Sequence, residues 1–177
     1  MQIYYEPWEH FIVEDLIPAD EFVILQGIVT QWDKPPHAGR IRHDLEFQTD
    51  VEFVQQALQR HVHGVLHDLA VQSFPNLNID TTYFADEYNV QSKGHEYMIH
   101  TDVWDKLVSS VLHVSDVGLG THLYRSKDRY SHTLPWKPNS CFFFVNGKHK
   151  YHSFSSQSNY RVTLSSTLRG THDTNFH

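Results

Sequence analysis

From Asn78 onward the chain is written in short β-branched and aromatic runs, a texture that confines it to a sheet-rich fold. The runs cover 79–84, 96–102, 107–114, 121–124, 140–145, 149–154 and 161–168. Turn formers separate them: Lys93-Gly94, Asp116-Val117-Gly118, Pro138-Asn139, Asn146-Gly147 and Ser158-Asn159. These residue types reverse a chain at low steric cost. Some seven strands at this spacing predict an antiparallel sandwich or barrel. The 4 Trp, 9 Tyr and 11 Phe supply the bulk that such an interior needs.

The front of the chain reads differently. Phe22, Leu25, Ile28, Val29 and Trp32 recur at a helical period, and Lys34-Pro35-Pro36-His37-Ala38-Gly39 breaks it as a loop. Thr49-Asp50-Val51-Glu52 has the form of a capping box. Behind it Val51, Val54, Leu58, Val62, Val65 and Leu69 mark one face of a helix about five turns long, which Phe74-Pro75-Asn76 ends. The fold class expected is therefore mainly β with flanking helices. One domain over 1–177 is expected, with helical support over 1–77 and the β core over 78–168; a chain of 177 residues suits a single core.

Composition excludes several functions. Lys and Arg number 14 against 21 Asp and Glu, a net charge of −7, so a generally basic nucleic-acid surface is ruled out and only a local patch could serve one. Cys141 stands alone, which removes disulfide frameworks and cysteine zinc knuckles; between Ser140 and Phe142 it reads as a small buried hydrophobe. The start, Met1 to Glu6, lacks signal-peptide character, and apolar runs such as 142–145 are too short to span a bilayer. A cytoplasmic protein with no membrane partner is the expectation. The 15 His scattered from His10 to His177 offer ligands for a transition metal.

Phosphate-binding glycine loops and the nucleophile elbow are absent. His63 and His67 stand four apart on the long helix, as in helical zinc proteases. Gly64 occupies the place of that motif's general base, so they read as exposed helix histidines. His100 and Asp102, by contrast, lie two apart at the end of a predicted strand, where alternate side chains share a face. A second histidine follows some fifty residues later in Lys150-Tyr151-His152-Ser153-Phe154, and nine residues beyond it Arg161 opens an alternating run. Two histidines and one carboxylate make the facial triad of non-haem Fe(II) oxygenases. An arginine fork is the natural partner for a co-substrate carboxylate. His149 competes with His152, since both follow the Asn146-Gly147 turn; three apart on a strand they would face opposite sides, and His152 shares its side with Phe154.

The order Tyr88-Asn89, Gly94, Tyr97, His100-Thr101-Asp102 resembles the Tyr-Asn … Gly-x-x-Tyr-x-x-His-x-Asp approach of a known family. Pro138-Asn139-Ser140-Cys141-Phe142-Phe143-Phe144 is similar to its apolar strand before the distal histidine. Over residues 83–168 the chain resembles the Fe(II)- and 2-oxoglutarate-dependent dioxygenases, nearest to their prolyl-4-hydroxylase-like branch. The resemblance implies a double-stranded β-helix, or jelly roll, supported by the N-terminal helices, with Fe(2+) held by His100, Asp102 and His152. It implies 2-oxoglutarate as co-substrate, gripped by Arg161 and hydrogen-bonded by Tyr88 or Tyr97, with O2 as oxidant and ascorbate as a possible reductant. The reaction implied is hydroxylation coupled to decarboxylation of 2-oxoglutarate to succinate and CO2, on a protein side chain or a small molecule. A jelly-roll binding module that keeps a metal without turnover is the alternative. Arg161 where collagen-type prolyl hydroxylases carry Lys, and a split Gly118-Leu119-Gly120 in the middle hairpin, weaken proline as the substrate. The substrate mouth is expected from the front third and from the loop 124–135 with Arg125, Lys127 and Arg129, and Trp104, His113 and His122 read chiefly as packing residues.

Overall fold

The computed structural model describes residues 1–32, 34, 39–45, 50–156 and 160–170. Among these described residues eleven strands form two antiparallel sheets. They are β1 (Gln2–Tyr4), β2 (His10–Val13), β3 (Arg40–Asp44), β4 (Tyr83–Gln91), β5 (Glu96–His100) and β6 (Lys106–His113), then β7 (His122–Ser126), β8 (Arg129–Thr133), β9 (Cys141–Val145), β10 (His152–Ser155) and β11 (Arg161–Arg169). The larger sheet runs β1-β2-β9-β6-β11-β4-β3 and the smaller β5-β10-β7-β8. This is the expected jelly roll.

Strand parity decides what each face does. On β9, Cys141 and Phe143 enter the core beneath the helices, while Phe142 and Phe144 join Leu123 and Leu134 in a second apolar cluster. On β11, Val162, Leu164 and Leu168 pack into the helix-side core, whereas Arg161, Thr163, Ser165 and Thr167 line a cavity. Strand β4 repeats this, with Tyr88 and Val90 in the core and Glu87, Asn89 and Gln91 on the cavity side. The register Arg161↔Gln91, Thr163↔Asn89 and Ser165↔Glu87 stacks these polar residues side by side.

Helix α1 (Ala19–Val29) buries Phe22, Leu25 and Val29. The long amphipathic helix is present as α2 (Val51–Leu58), a wider π-type stretch Gln59–His63, and α3 (Gly64–Ser73). The buried positions Val54, Leu58, Val62 and Leu66 recur every four residues. Spacing by four drifts around a 3.6-residue turn, and the wider turn restores the stripe to one side. Asp50 precedes α2 at φ 54° without a side-chain cap, and Thr49 of the expected capping box lies outside the described residues, as do 35–38 of the proline loop and the Ser158-Asn159 turn. No described helix is long and apolar enough to cross a membrane.

Several expectations are corrected. The run at 79–84 is not one strand: Ile79–Thr81 forms a 3-10 turn, in which the Asn78 side chain accepts from the Asp80 amide, and the strand starts at Tyr83. The front is not purely helical support, because β1, β2 and β3 join the larger sheet. Strand β3 carries Arg40, Arg42, His43 and Asp44, a polar pattern typical of a sheet edge, which hides it from a search for apolar alternation. The charged stretch after Tyr124 is a hairpin, β7–β8, rather than a loop.

Two consequences for stability follow. A Cβ at Gly120 would stand 1.9 Å from the Leu134 carbonyl oxygen, whereas one at Gly147 meets nothing nearer than 3.8 Å. Backbone cannot yield as a side chain can, so Gly120→Ala is expected to cost at least about 2 kcal/mol, against less than about 1 kcal/mol either way for Gly147→Ala. Urea midpoints of the two variants check this. His113 is buried, its ring stacked 4.1 Å from Trp136 and its Nδ1 3.0 Å from Ser140 Oγ. Burial, then the nearby Arg161 charge, pushes its pKa down to about 3. The unfolded chain takes up this proton near pH 6.5 and the folded one does not, so stability falls as pH drops from about 6.5 towards 3. The loss is about 2 kcal/mol by pH 5. Denaturation at pH 7 and pH 5 should show that share of the slope vanish in His113→Gln.

Candidate metal centre and co-substrate cavity

His100 ends β5, Asp102 follows two residues on, and His152 opens β10 directly opposite His100 in the strand register. One ligand atom from each lies within 4.8 Å of the other two, and the imidazole centroids are 4.3 Å apart. Among the described residues this is the only group of three or more His, Cys, Asp or Glu so arranged.

The protonation states suit a divalent cation. His100 Nδ1 lies 3.0 Å from the Met98 carbonyl and His152 Nδ1 3.0 Å from that of Lys150. A carbonyl oxygen only accepts, so each Nδ1 carries the proton and each Nε2 keeps its lone pair for a ligand bond. Burial lowers the pKa of both rings, that of His152 to about 4, so they are neutral at physiological pH. Burial alone would raise the Asp102 carboxyl. The Lys106 charge, the charge His152 acquires only in acid, and hydrogen bonds from Lys106 Nζ and Ser109 Oγ at 2.9 Å each hold it below its ordinary value instead.

A cavity of about 200 Å3 opens beside the triad, lined by Phe142, Phe144, Phe154, Tyr97 and the polar faces of β4 and β11. Arg161 is 2 % exposed and reaches into it. Its Nε donates to the Leu119 carbonyl at 2.8 Å and its Nη1 to Gln91 Oε1 at 3.0 Å, while Nη2 is buried with no hydrogen-bond partner. The rings of Phe154 and Trp136 stand 5.1 and 5.3 Å from the guanidinium carbon. Burial and the Arg40 charge lower its pKa to about 9, which leaves it cationic at neutral pH. A buried cation with an unused donor is costly unless an anion arrives.

Structure divides the remaining candidates. Tyr97 lines the cavity, stacked 4.8 Å from Phe154 and edge-on to His100 at 4.9 Å. Tyr88 does not: it faces the helix-side core, edge-on to Trp32 at 5.2 Å, because β4 turns its odd-numbered residues to the cavity. The cofactor role assigned to Tyr88 is therefore corrected, and Gln91, which holds Arg161, is the β4 residue that faces the site. His149 sits exposed in the turn before β10, so it is not on the strand at all. His113 and His122 are hydrogen-bonded to Ser140 and to Thr133 and Ser155 respectively, and Trp104 is 65 % exposed. His63 is less exposed than expected; it pairs with Asp86 at 3.0 Å and stacks on Phe84 at 3.9 Å, apart from any third ligand. Sequence reasoning missed Arg40 and Arg42 of β3. Only the pairing of that strand with β4 brings them to the cavity.

No protein-family model matches this sequence, and no curated protein matches it. Solved structures do match. A Pseudomonas putida prolyl-4-hydroxylase aligns with 92% of this chain and 93% of its own, at TM-score 0.69 and 17% identity. The chain has the prolyl-4-hydroxylase fold. A Trichoplax adhaerens prolyl hydroxylase, solved with a peptide fragment of a hypoxia inducible factor oxygen degradation domain, covers 91% of this chain and 83% of its own at TM-score 0.68 and 10% identity. The epimerase SnoN, solved with Fe3+, alpha ketoglutarate and nogalamycin RO, covers 91% and 78% at TM-score 0.66 and 11% identity. The same scaffold thus carries proteins solved with a peptide and with a small molecule.

Proposed function

We propose that this chain is an Fe(II)- and 2-oxoglutarate-dependent dioxygenase, a hydroxylase acting on a peptide or a small molecule, with the helices supporting one catalytic domain. The observation that carries this reading is one cavity holding both a neutral-neutral-anionic triad and a buried arginine with an unpaired donor. His100, Asp102 and His152 would hold Fe(II), a donor set that leaves positions open for co-substrate and O2. Arg161 would grip the far carboxylate of 2-oxoglutarate. Bound there, Fe(II) would activate O2, with 2-oxoglutarate as the co-substrate that is oxidised to succinate and CO2, one oxygen atom going to succinate and the other to the substrate.

This chain's own residues set the stage for that chemistry. Lys106 and Ser109 keep Asp102 ionised and aimed, and the Met98 and Lys150 carbonyls fix the imidazole tautomers. Gln91 and the Leu119 carbonyl orient the Arg161 fork so that Nη2 faces an incoming anion. Phe142, Phe144 and Phe154 exclude water, which strengthens each of these charge interactions. The test is succinate formation from 2-oxoglutarate with Fe(II) and ascorbate; turnover that persists under a strong chelator would sink the proposal. Within that assay His152→Ala should lose nearly all succinate formation, whereas His149→Ala, altering an exposed turn, should keep most of it.

A further inference from the structure

Strand β3 brings two more arginines to the cavity, and only one of them is neutralised. Arg42 lies beside Glu87 and makes two contacts with its carboxylate, one of them 2.8 Å from Nε to Oε2. Lys106 pairs with Asp102 and Arg169 with Asp105 in the same way. The groups Arg40 touches are neutral, although the Arg42 and Glu87 charges lie close by. Its Nη2 donates to Asn89 Oδ1 at 2.5 Å, its guanidinium carbon stands 4.7 Å from the Tyr97 ring and 5.2 Å from that of Phe154, and its Nε is buried without a hydrogen-bond partner. Among the described residues no carboxylate lies within ion-pair distance of either Arg40 or Arg161.

The charges of the site make Arg40 surplus to the co-substrate. A dication, the Asp102 carboxylate, a dianionic keto acid and Arg161 sum to zero; Arg42 and Arg169 have carboxylates of their own, Lys106 contacts the Asp102 carboxylate already counted, and of these remaining cations only Arg40 touches no carboxylate among the described residues. Both guanidinium groups stand against the same Phe154 ring, 5.1 and 5.2 Å from its centre. Two anionic groups could therefore lie as neighbours in one cavity. A half-buried arginine fork whose Nε is buried without a partner is suited to a planar or tetrahedral oxyanion.

We propose that Arg40 is a substrate-reading residue, which takes a carboxylate or phosphate of the primary substrate beside the 2-oxoglutarate held by Arg161. The proposal rests on the oxygenase reading and names the chemical class of its substrate. Tyr97 and Phe154, stacked against each other, provide the apolar wall next to that charge.

Calorimetric titration of the Fe(II)- and 2-oxoglutarate-loaded protein, without oxygen, tests it. The probes are phenylacetate and phenyl phosphate, with phenylacetamide as the neutral control. Wild type should bind at least one anion roughly 10–100-fold tighter than the amide, the worth of a charge-assisted hydrogen bond. Arg40→Gln should erase that preference and Arg40→Lys should keep part of it. A wild type that does not discriminate, including one that binds no probe, overturns the proposal. So does a preference that survives in Arg40→Gln. A 2-oxoglutarate affinity that falls by the full factor in Arg40→Gln also overturns it, because Arg40 would then be the co-substrate anchor. Binding of 2-oxoglutarate to Fe(II)-loaded wild type is measured first: its failure sinks the oxygenase reading and this proposal together, whereas its success without an anion preference sinks this proposal alone.

Discussion

Asp102→Asn is expected to lose Fe(II) binding and, with it, succinate formation. The carboxylate is the sole anion of the triad, and the amide keeps its shape while removing its charge. What remains around a dication would be two neutral imidazoles and the Lys106 ammonium, which stands 2.9 Å from the carboxylate in the native chain. Loss of an outer partner of a metal ligand typically costs about 10–100-fold in affinity; loss of the charged ligand itself should exceed that. Calorimetric titration with Fe(II) under anaerobic conditions measures it, with circular dichroism to verify the fold. Retention of affinity within tenfold would exclude Asp102 as a ligand.

Arg161→Leu should separate co-substrate from metal. Removing one partner of a buried, hydrogen-bonded charge pair costs roughly 2–5 kcal/mol, or about 30-fold to several thousand-fold in affinity. The half-saturating 2-oxoglutarate concentration should rise by that factor, while the Fe(II) titration moves only a few-fold because the triad does not include this residue. Leucine leaves Gln91 Oε1 and the Leu119 carbonyl without their donor, so some stability is lost as well. Arg161→Lys should restore part of the affinity as a point charge without the fork. An unchanged affinity in Arg161→Leu would transfer the anchoring role to Arg40, the other cavity cation without a carboxylate partner among the described residues.

The parts of this molecule that the sequence makes legible are those governed by local parity. His100 and Asp102 are two apart at the end of a strand, and Arg161 begins a strict alternation on β11, so each pattern is readable locally, although the strand itself stops at His100. Tyr88 illustrates the limit of the same rule. The apolar run that marks its strand in the sequence stops at Phe84, so alternation gives no face for the residues from Glu87 to Gln91, and the structure puts Tyr88 in the core. Strands β1, β2 and β3 are invisible for another reason. Each is at most five residues long, β1 is exposed and β3 polar, and each is held by its pairing in the sheet: β2 with β9, β1 with β2 and β3 with β4. Arg40 inherits its cavity position from that pairing, which no local pattern announces.

Strand β5 carries His100, the first ligand of the proposed metal site, yet it is an edge strand, bonded only to β10 through a register that shifts between His152 and Phe154. An edge held on one side opens at lower free energy than the middle of a sheet. His100 and His152 face each other across that single ladder, so a cation shared between them binds the closed ladder and not the open one. Metal occupancy then raises the opening free energy of β5 in proportion to the logarithm of free metal concentration, with little change in the larger sheet. Amide hydrogen exchange along Glu96–His100 thereby becomes a gauge of metal loading, and the strand that presents the ligand is also the part of the barrel whose order depends most on the ion it would hold.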